Sequence, residues 1–126
     1  MSGGFAFDTN IIIDTLKGYP EARAELIRAA QRGRVWISRV VCVEVLSKGE
    51  GEQLQLAQDL LSGFGIDELD AEIAERAAAL RCERTRLRLI DAIILATALT
   101  RGRVLVTRNT KDFPAEMPGI RVPYTL

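Results

Sequence analysis

Three apolar runs of three residues each are set between long helix-forming stretches, and each gives way at once to a polar residue. Phe5-Ala6-Phe7 ends at Asp8-Thr9-Asn10, Val35-Trp36-Ile37 ends at Ser38, and Val104-Leu105-Val106 ends at Thr107. Runs this short, aromatic and β-branched, read as buried strands, and Asp, Asn, Ser and Thr favour the helix caps and turns that follow them. Residues 66–69 and 120–122 add two further candidate strands. Strands alternating with helices predict a single α/β domain over residues 1–126. It should be a three-layer α/β/α sandwich on a parallel sheet, with ligands gathering outside the carboxyl ends of the strands.

The segments between the strands carry helical periodicity. Ile11, Ile12, Ile13 and Leu16 form a first short helix that Gly18 and Pro20 stop, and residues 21–32 a second, with Ala22, Leu26, Ala29 and Ala30 inward and Gly33 closing it. Residues 40–48 and 52–62 follow. Asp70 caps a long helix that places Ile73, Ala74, Ala77, Ala78 and Leu80 on one side and ends near Thr85. A last helix starts around Ile90-Asp91, is apolar nearly all round through Leu99, and should lie buried against the sheet until Gly102 ends it. Phe5, Phe7 and Trp36 read as core, and the chain shows no repeat, linker or low-complexity stretch.

With 126 residues, 48% of them hydrophobic, the chain is long enough to bury one core, and its 17 basic and 17 acidic side chains cancel. That balance argues against any function resting on bulk charge. The zero is nonetheless uneven: residues 1–75 hold 7 basic and 13 acidic side chains, residues 76–126 hold 10 and 4. Histidine is absent, which excludes Ser-His-Asp and Cys-His hydrolysis and the H-E-x-x-H metalloproteases. Cys42 and Cys82, forty positions apart, are too few for a structural zinc site and read as buried free thiols. The N-terminal residues lack a signal-peptide pattern, and no apolar run reaches the 18 or so residues of a membrane span, so a cytoplasmic protein without membrane contact is expected. Any catalysis must rest on carboxylates.

Asp8 follows the first strand, Asp91 opens the apolar helix, and Asp112 stands five residues after Thr107; in a parallel sheet those positions share one edge. Taken singly, Asp8 and Asp91 are good helix-start residues and Asp112 a good turn residue. Glu44 is different, because it lies in Val40-Val41-Cys42-Val43-Glu44-Val45-Leu46 and shares its face with Val40, Val41 and Lys48. An i, i+4 pair with Lys48 would contribute only a few tenths of a kcal/mol, so a metal-binding or catalytic role is the better reading. Four carboxylates in one cleft would repel one another unless cations sat between them, and two Mg²⁺ ions would cancel the charge. Such an arrangement activates water for phosphoryl displacement without histidine.

Four segments together resemble the PIN-domain nucleases, specifically the VapC-type toxins of toxin-antitoxin pairs: Phe7-Asp8-Thr9-Asn10-Ile11-Ile12-Ile13-Asp14, the isolated Glu44, the run from Ile90-Asp91 through Leu99, and Val106-Thr107-Arg108-Asn109-Thr110-Lys111-Asp112-Phe113. The resemblance spans essentially the whole chain in order and spacing. It implies that Asp8, Glu44, Asp91 and Asp112 hold one or two Mg²⁺ or Mn²⁺ ions, with Thr107 and Asn10 or Asn109 supporting them by hydrogen bonds. It further implies metal-dependent endonucleolytic cleavage of RNA, a homodimer, and an antitoxin partner that covers the active-site groove. One departure stands out: residues 85–90 are rich in arginine, and Ile90 takes the place of the small or polar residue expected before Asp91.

Arg86, Arg88 and Arg108 are candidate contacts to the RNA backbone, as fork-shaped donors to phosphate; the plainer reading is a solvated helix end. Two other functions compete with a nuclease. In an aspartyl phosphatase or phosphoacceptor domain Asp8 would be the nucleophile, but Asn10 stands where the haloacid-dehalogenase pattern needs a second aspartate. A catalytically silent PIN-like module that only binds protein partners would have no reason to keep Glu44 among valines.

Overall fold

The apolar runs form strands in the computed structural model, which describes residues 3–126; Met1 and Ser2, where the N-terminal reading began, lie outside it. The elements alternate as β1 (Phe5–Phe7), α1 (Thr9–Leu16), α2 (Pro20–Arg32), β2 (Val35–Ser38), α3 (Arg39–Leu46), α4 (Glu52–Leu61), β3 (Gly65–Asp67), α5 (Ala71–Glu83), α6 (Leu89–Arg101), β4 (Val104–Val106) and β5 (Ile120–Arg121). All the strand pairs are parallel, in the order β3-β2-β1-β4-β5. The chain builds outward from β1 through β2 to β3, then returns to the other side of β1 for β4. Right-handed crossovers therefore lay α1–α4 on one face and α5–α6 on the other, the expected three layers. The reversal falls between β1 and β4, which is where α/β sheets open a crevice for ligands.

Strands of three residues suffice because both faces are covered. Phe7, Ile37, Leu105 and Val106 are at most 1% exposed, and Ile11, Ile12, Val41, Ile73 and Leu95 close over them from the helices. α6 is buried from Asp91 to Ala98 except at Ile93, as its apolar circumference required, but Leu99, the last residue of the run expected to be buried, is 41% exposed. It ends on Gly102 at φ 70°, a left-handed cap that glycine adopts without strain. At Gly65 a side chain is excluded for another reason: a Cβ would stand 2.5 Å from the Trp36 ring.

Several expectations shift. β3 begins at Gly65 and stops at Asp67, not Leu69, because Asp67 turns inward to Arg103 while Leu69 is 45% exposed and leads into the Asp70 cap. Ala30, Ala74 and Ala78 are exposed, and α2 buries Glu25 beside Ala22 and Ala29. Cys82 is exposed on the outer side of α5, whereas Cys42 is buried. Phe5 and Trp36 are half-buried, and both lie under arginines: Arg28 over Phe5 at 5.5 Å, Arg34 and Arg103 over Trp36 at 4.5 and 3.8 Å. Among the described residues no helix is long and apolar enough to cross a membrane.

Candidate active site

Asp8 leaves β1 in extended conformation and caps α1, its Oδ1 accepting from the Thr9 N–H at 2.7 Å. Its own N–H donates to the Val106 carbonyl of β4, so the two central strands meet at this residue. Oδ2 accepts from the Thr107 hydroxyl at 2.7 Å and, at 3.4 Å, from Asn10. Thr107 is fully buried, and its Oγ1 also accepts from the Asn109 N–H at 3.0 Å, which fixes the hydroxyl to donate toward Asp8. Asn10 closes the set from above by accepting from the Arg108 N–H.

Glu44 reaches the same place from α3. Its Oε1 accepts from the Thr9 hydroxyl at 2.5 Å, and the expected alternative partner, Lys48, lines the cleft without pairing to it. Thr9 thus joins two of the carboxylates, its N–H on Asp8 and its hydroxyl on Glu44. Sequence reasoning missed that role because a threonine after a capping aspartate looks like ordinary helix chemistry. Asp91 stands in the first turn of α6, where the macrodipole favours an anion, and accepts from Arg88 Nε at 2.8 Å. Asp8 and Asp91 are 4% and 3% exposed.

Asp8, Glu44 and Asp91 line one cleft of about 560 Å³, together with Asn10, Arg88, Arg108 and Asn109. One wall is apolar, from Ile13, Leu16, Val45 and Leu56, and Lys17 and Lys48 bring positive charge to its margin. Asp112 is set back from that lining. Its carboxylate accepts from Asn109 Nδ2 at 3.0 Å, its N–H donates to Asn109 Oδ1, and its carbonyl accepts from Arg84. Arg86 is exposed and outside the cleft.

Arg108 lines the cleft but is held by Asp14, with Nε on Oδ2 at 2.5 Å and Nη2 on Oδ1 at 3.0 Å. Tyr124 donates its hydroxyl to the same carboxylate at 2.8 Å. Burial would raise the Asp14 carboxyl, but the hydrogen bonds from Arg108 and Tyr124 outweigh it and hold the group below the usual aspartate range. This network ties α1, the residue after Thr107 and the C-terminal tail together. No local pattern in the chain announces it, since its partners lie 94 and 110 positions from Asp14.

Burial pushes the Asp8 carboxyl up to about 6; Thr107 and Thr9 oppose the rise, while Asp91 and Glu44 add to it. Asp91 is raised for the same reason, with Arg88 opposing and Asp112 and Glu44 reinforcing. These groups share one field. All the donors are oxygens, the choice of a hard divalent ion. Among the described residues no three Asp, Glu or Cys side chains converge tightly enough to enclose an ion by themselves. A cleft of this kind fits Mg²⁺, which keeps several waters and takes one or two carboxylates, better than an ion that needs a full protein cage.

The PIN domain family model matches residues 5–115. The tRNA(fMet)-specific endonuclease VapC of Shigella flexneri is 30% identical over 118 residues, covering 86% of this chain and 89% of that protein. Among solved structures, a toxin-antitoxin complex from Klebsiella pneumoniae contains a chain 43% identical, with a TM-score of 0.87 over 98% of this chain and all of that one. DNA-bound VapBC from Salmonella typhimurium is 27% identical with a TM-score of 0.79, covering 96% of each chain. Since the matched span runs from β1 through the loop that carries Asp112, and so takes in all four carboxylates, the chain belongs to the PIN-domain family, in its VapC-type branch.

Proposed function

We propose that this protein is a metal-dependent endoribonuclease, the toxin of a toxin-antitoxin pair, with residues 1–126 forming its single nuclease domain. The observation that carries the reading is the convergence of Asp8, Glu44 and Asp91 on one cleft at the point where the strand order reverses. Relatives named as an endonuclease and as a ribonuclease, and a toxin-antitoxin complex of the same fold, support it.

Asp8, Glu44 and Asp91 would hold Mg²⁺ or Mn²⁺, and Asp112 would complete the quartet from its position behind Asn109. When bound, the ion supplies Lewis acidity and an activated water at neutral pH. The chain's own groups do the rest. Thr107, Asn10 and Thr9 fix the carboxylates of Asp8 and Glu44, and Asn109 holds Asp112. Lys17 and Lys48 draw the RNA backbone to the cleft margin. Arg86, Arg88 and Arg108 remain the candidate phosphate contacts, with Arg108 first having to leave Asp14. An antitoxin, a second copy of the chain and a cytoplasmic setting complete the proposal.

The test is cleavage of a structured RNA pool by purified protein with Mg²⁺ or Mn²⁺, with EDTA, and by Asp8→Asn. Metal-dependent cutting should fall at least 100-fold in the variant, on the order expected when a metal-positioning group is lost. Cutting that survives EDTA or the substitution would overturn the reading.

A further inference from the structure

Arg88 occupies a position that helix chemistry disfavours. It is the N-cap of α6, with extended backbone at φ −67° and ψ 151° and no side-chain cap bond. A guanidinium cannot accept from the free N–H groups of a helix start, and its charge is repelled by the positive end of the dipole. Something else must hold it there. Its Nε lies 2.8 Å from Asp91 Oδ2, and its charge is favoured by Asp91, Asp112 and Glu44 together. It also lines the cleft beside Asp8. The other cations of the cleft do not serve these groups in the same way: Arg108 is bound to Asp14, and Lys17 and Lys48 stand at the margin without pairing to Glu44, Asp91 or Asp112.

We infer that Arg88 is the cleft's internal counter-ion: it pairs with Asp91 while no divalent ion is bound, and withdraws from it when one binds. The burial of the pair is lopsided in the way an exchange requires. Asp91's side chain is 4% exposed and stays put, whereas Arg88's is 70% exposed and nothing packs it in place. A divalent ion carries twice the charge of a guanidinium and can be shared with the other carboxylates of the cleft, so it displaces Arg88 from Asp91. The released guanidinium then lies at the mouth of the cleft, within reach of a phosphodiester. This rests on the metal-dependent reading above.

Calorimetric titration with Mn²⁺ of the full chain, its Arg88→Gln variant and its Arg88→Lys variant tests the exchange, alongside thermal unfolding in EDTA. Arg88→Gln should bind Mn²⁺ roughly five- to tenfold more tightly, because no cation competes for Asp91. It should melt lower than wild type in EDTA and together with it at saturating Mn²⁺. Arg88→Lys keeps the charge and should stay within about twofold of wild type. Unchanged or weaker Mn²⁺ binding by Arg88→Gln, with wild type binding normally, overturns the counter-ion and leaves the nuclease reading standing. No Mn²⁺ binding by wild type removes both.

Discussion

Asp8 is a carboxylate almost without water, held by three donors and facing two like charges, and its acid form is favoured inside the fold. As pH rises from the ordinary 3.8 through about 6, the unfolded chain gives up this proton before the folded one does. Stability of the metal-free protein therefore falls across that window, by about 3 kcal/mol for a shift of this size. Asp8→Asn removes the penalty. In EDTA the variant should melt above wild type near pH 8, with the gap closing toward pH 4; a gap that does not vary with pH would sink the account. The sequence made Asp8, Glu44 and Asp91 legible because their placement follows from strand ends and one misplaced polar residue on an apolar helix. It could not show that Asp112 is set back by Asn109, or that Arg108 is engaged by Asp14. Those depend on where a loop sends its side chains, which no periodicity encodes.

Among the elements, α2 and β5 show how a secondary-structure reading can be right and still miss what joins the parts. The helix was legible from Ala22, Leu26 and Ala29, yet its other inward residue is Glu25, 5% exposed and gripped by two arginines. Arg28, one turn on, donates at 2.9 Å from both Nε and Nη2, and Arg121 of β5 donates at 2.8 and 3.0 Å. Burial would raise this carboxyl, but the two guanidinium groups outweigh it and bring it down to about 2. The pairing therefore contributes fully above the ordinary 4.5 and is lost as pH falls through about 2, roughly 3 kcal/mol in all. Glu25→Gln should lower unfolding free energy in urea by that amount at pH 7, with little difference from wild type near pH 2. Equal stability at pH 7 would show that β5, only two residues long, is held by its strand pairing alone. Strand β3 ended early for a related reason: Asp67 is drawn inward by an arginine 36 positions away, and local pattern carries no trace of that partner.

Across the whole molecule, the uneven charge of the sequence resolves into internal pairing. Arg101 with Asp70, Arg103 with Asp67, Arg108 with Asp14 and Arg121 with Glu25 each join a base from residues 76–126 to an acid from residues 1–75. In three of them the acid's side chain is at most 4% exposed, so salt should screen them little. Raising NaCl from about 0.1 to 1 M should move the melting temperature by less than about 3 °C, whereas opposed surface patches would give a steep fall. The order of these pairs along the chain bears on how the protein is made. A ribosome that has reached residue 75 has already joined Asp8 and Glu44, along with Asp14, Glu25 and Asp67, to the chain before any of the distant arginines that hold the last three. Strand β4, which lies beside β1 at the centre of the sheet, is synthesised after all the other strands but one. The nascent chain therefore cannot close its cleft until residues 104–112 have been made, so the first two carboxylates are synthesised well ahead of the strand and loop that turn them into an active site.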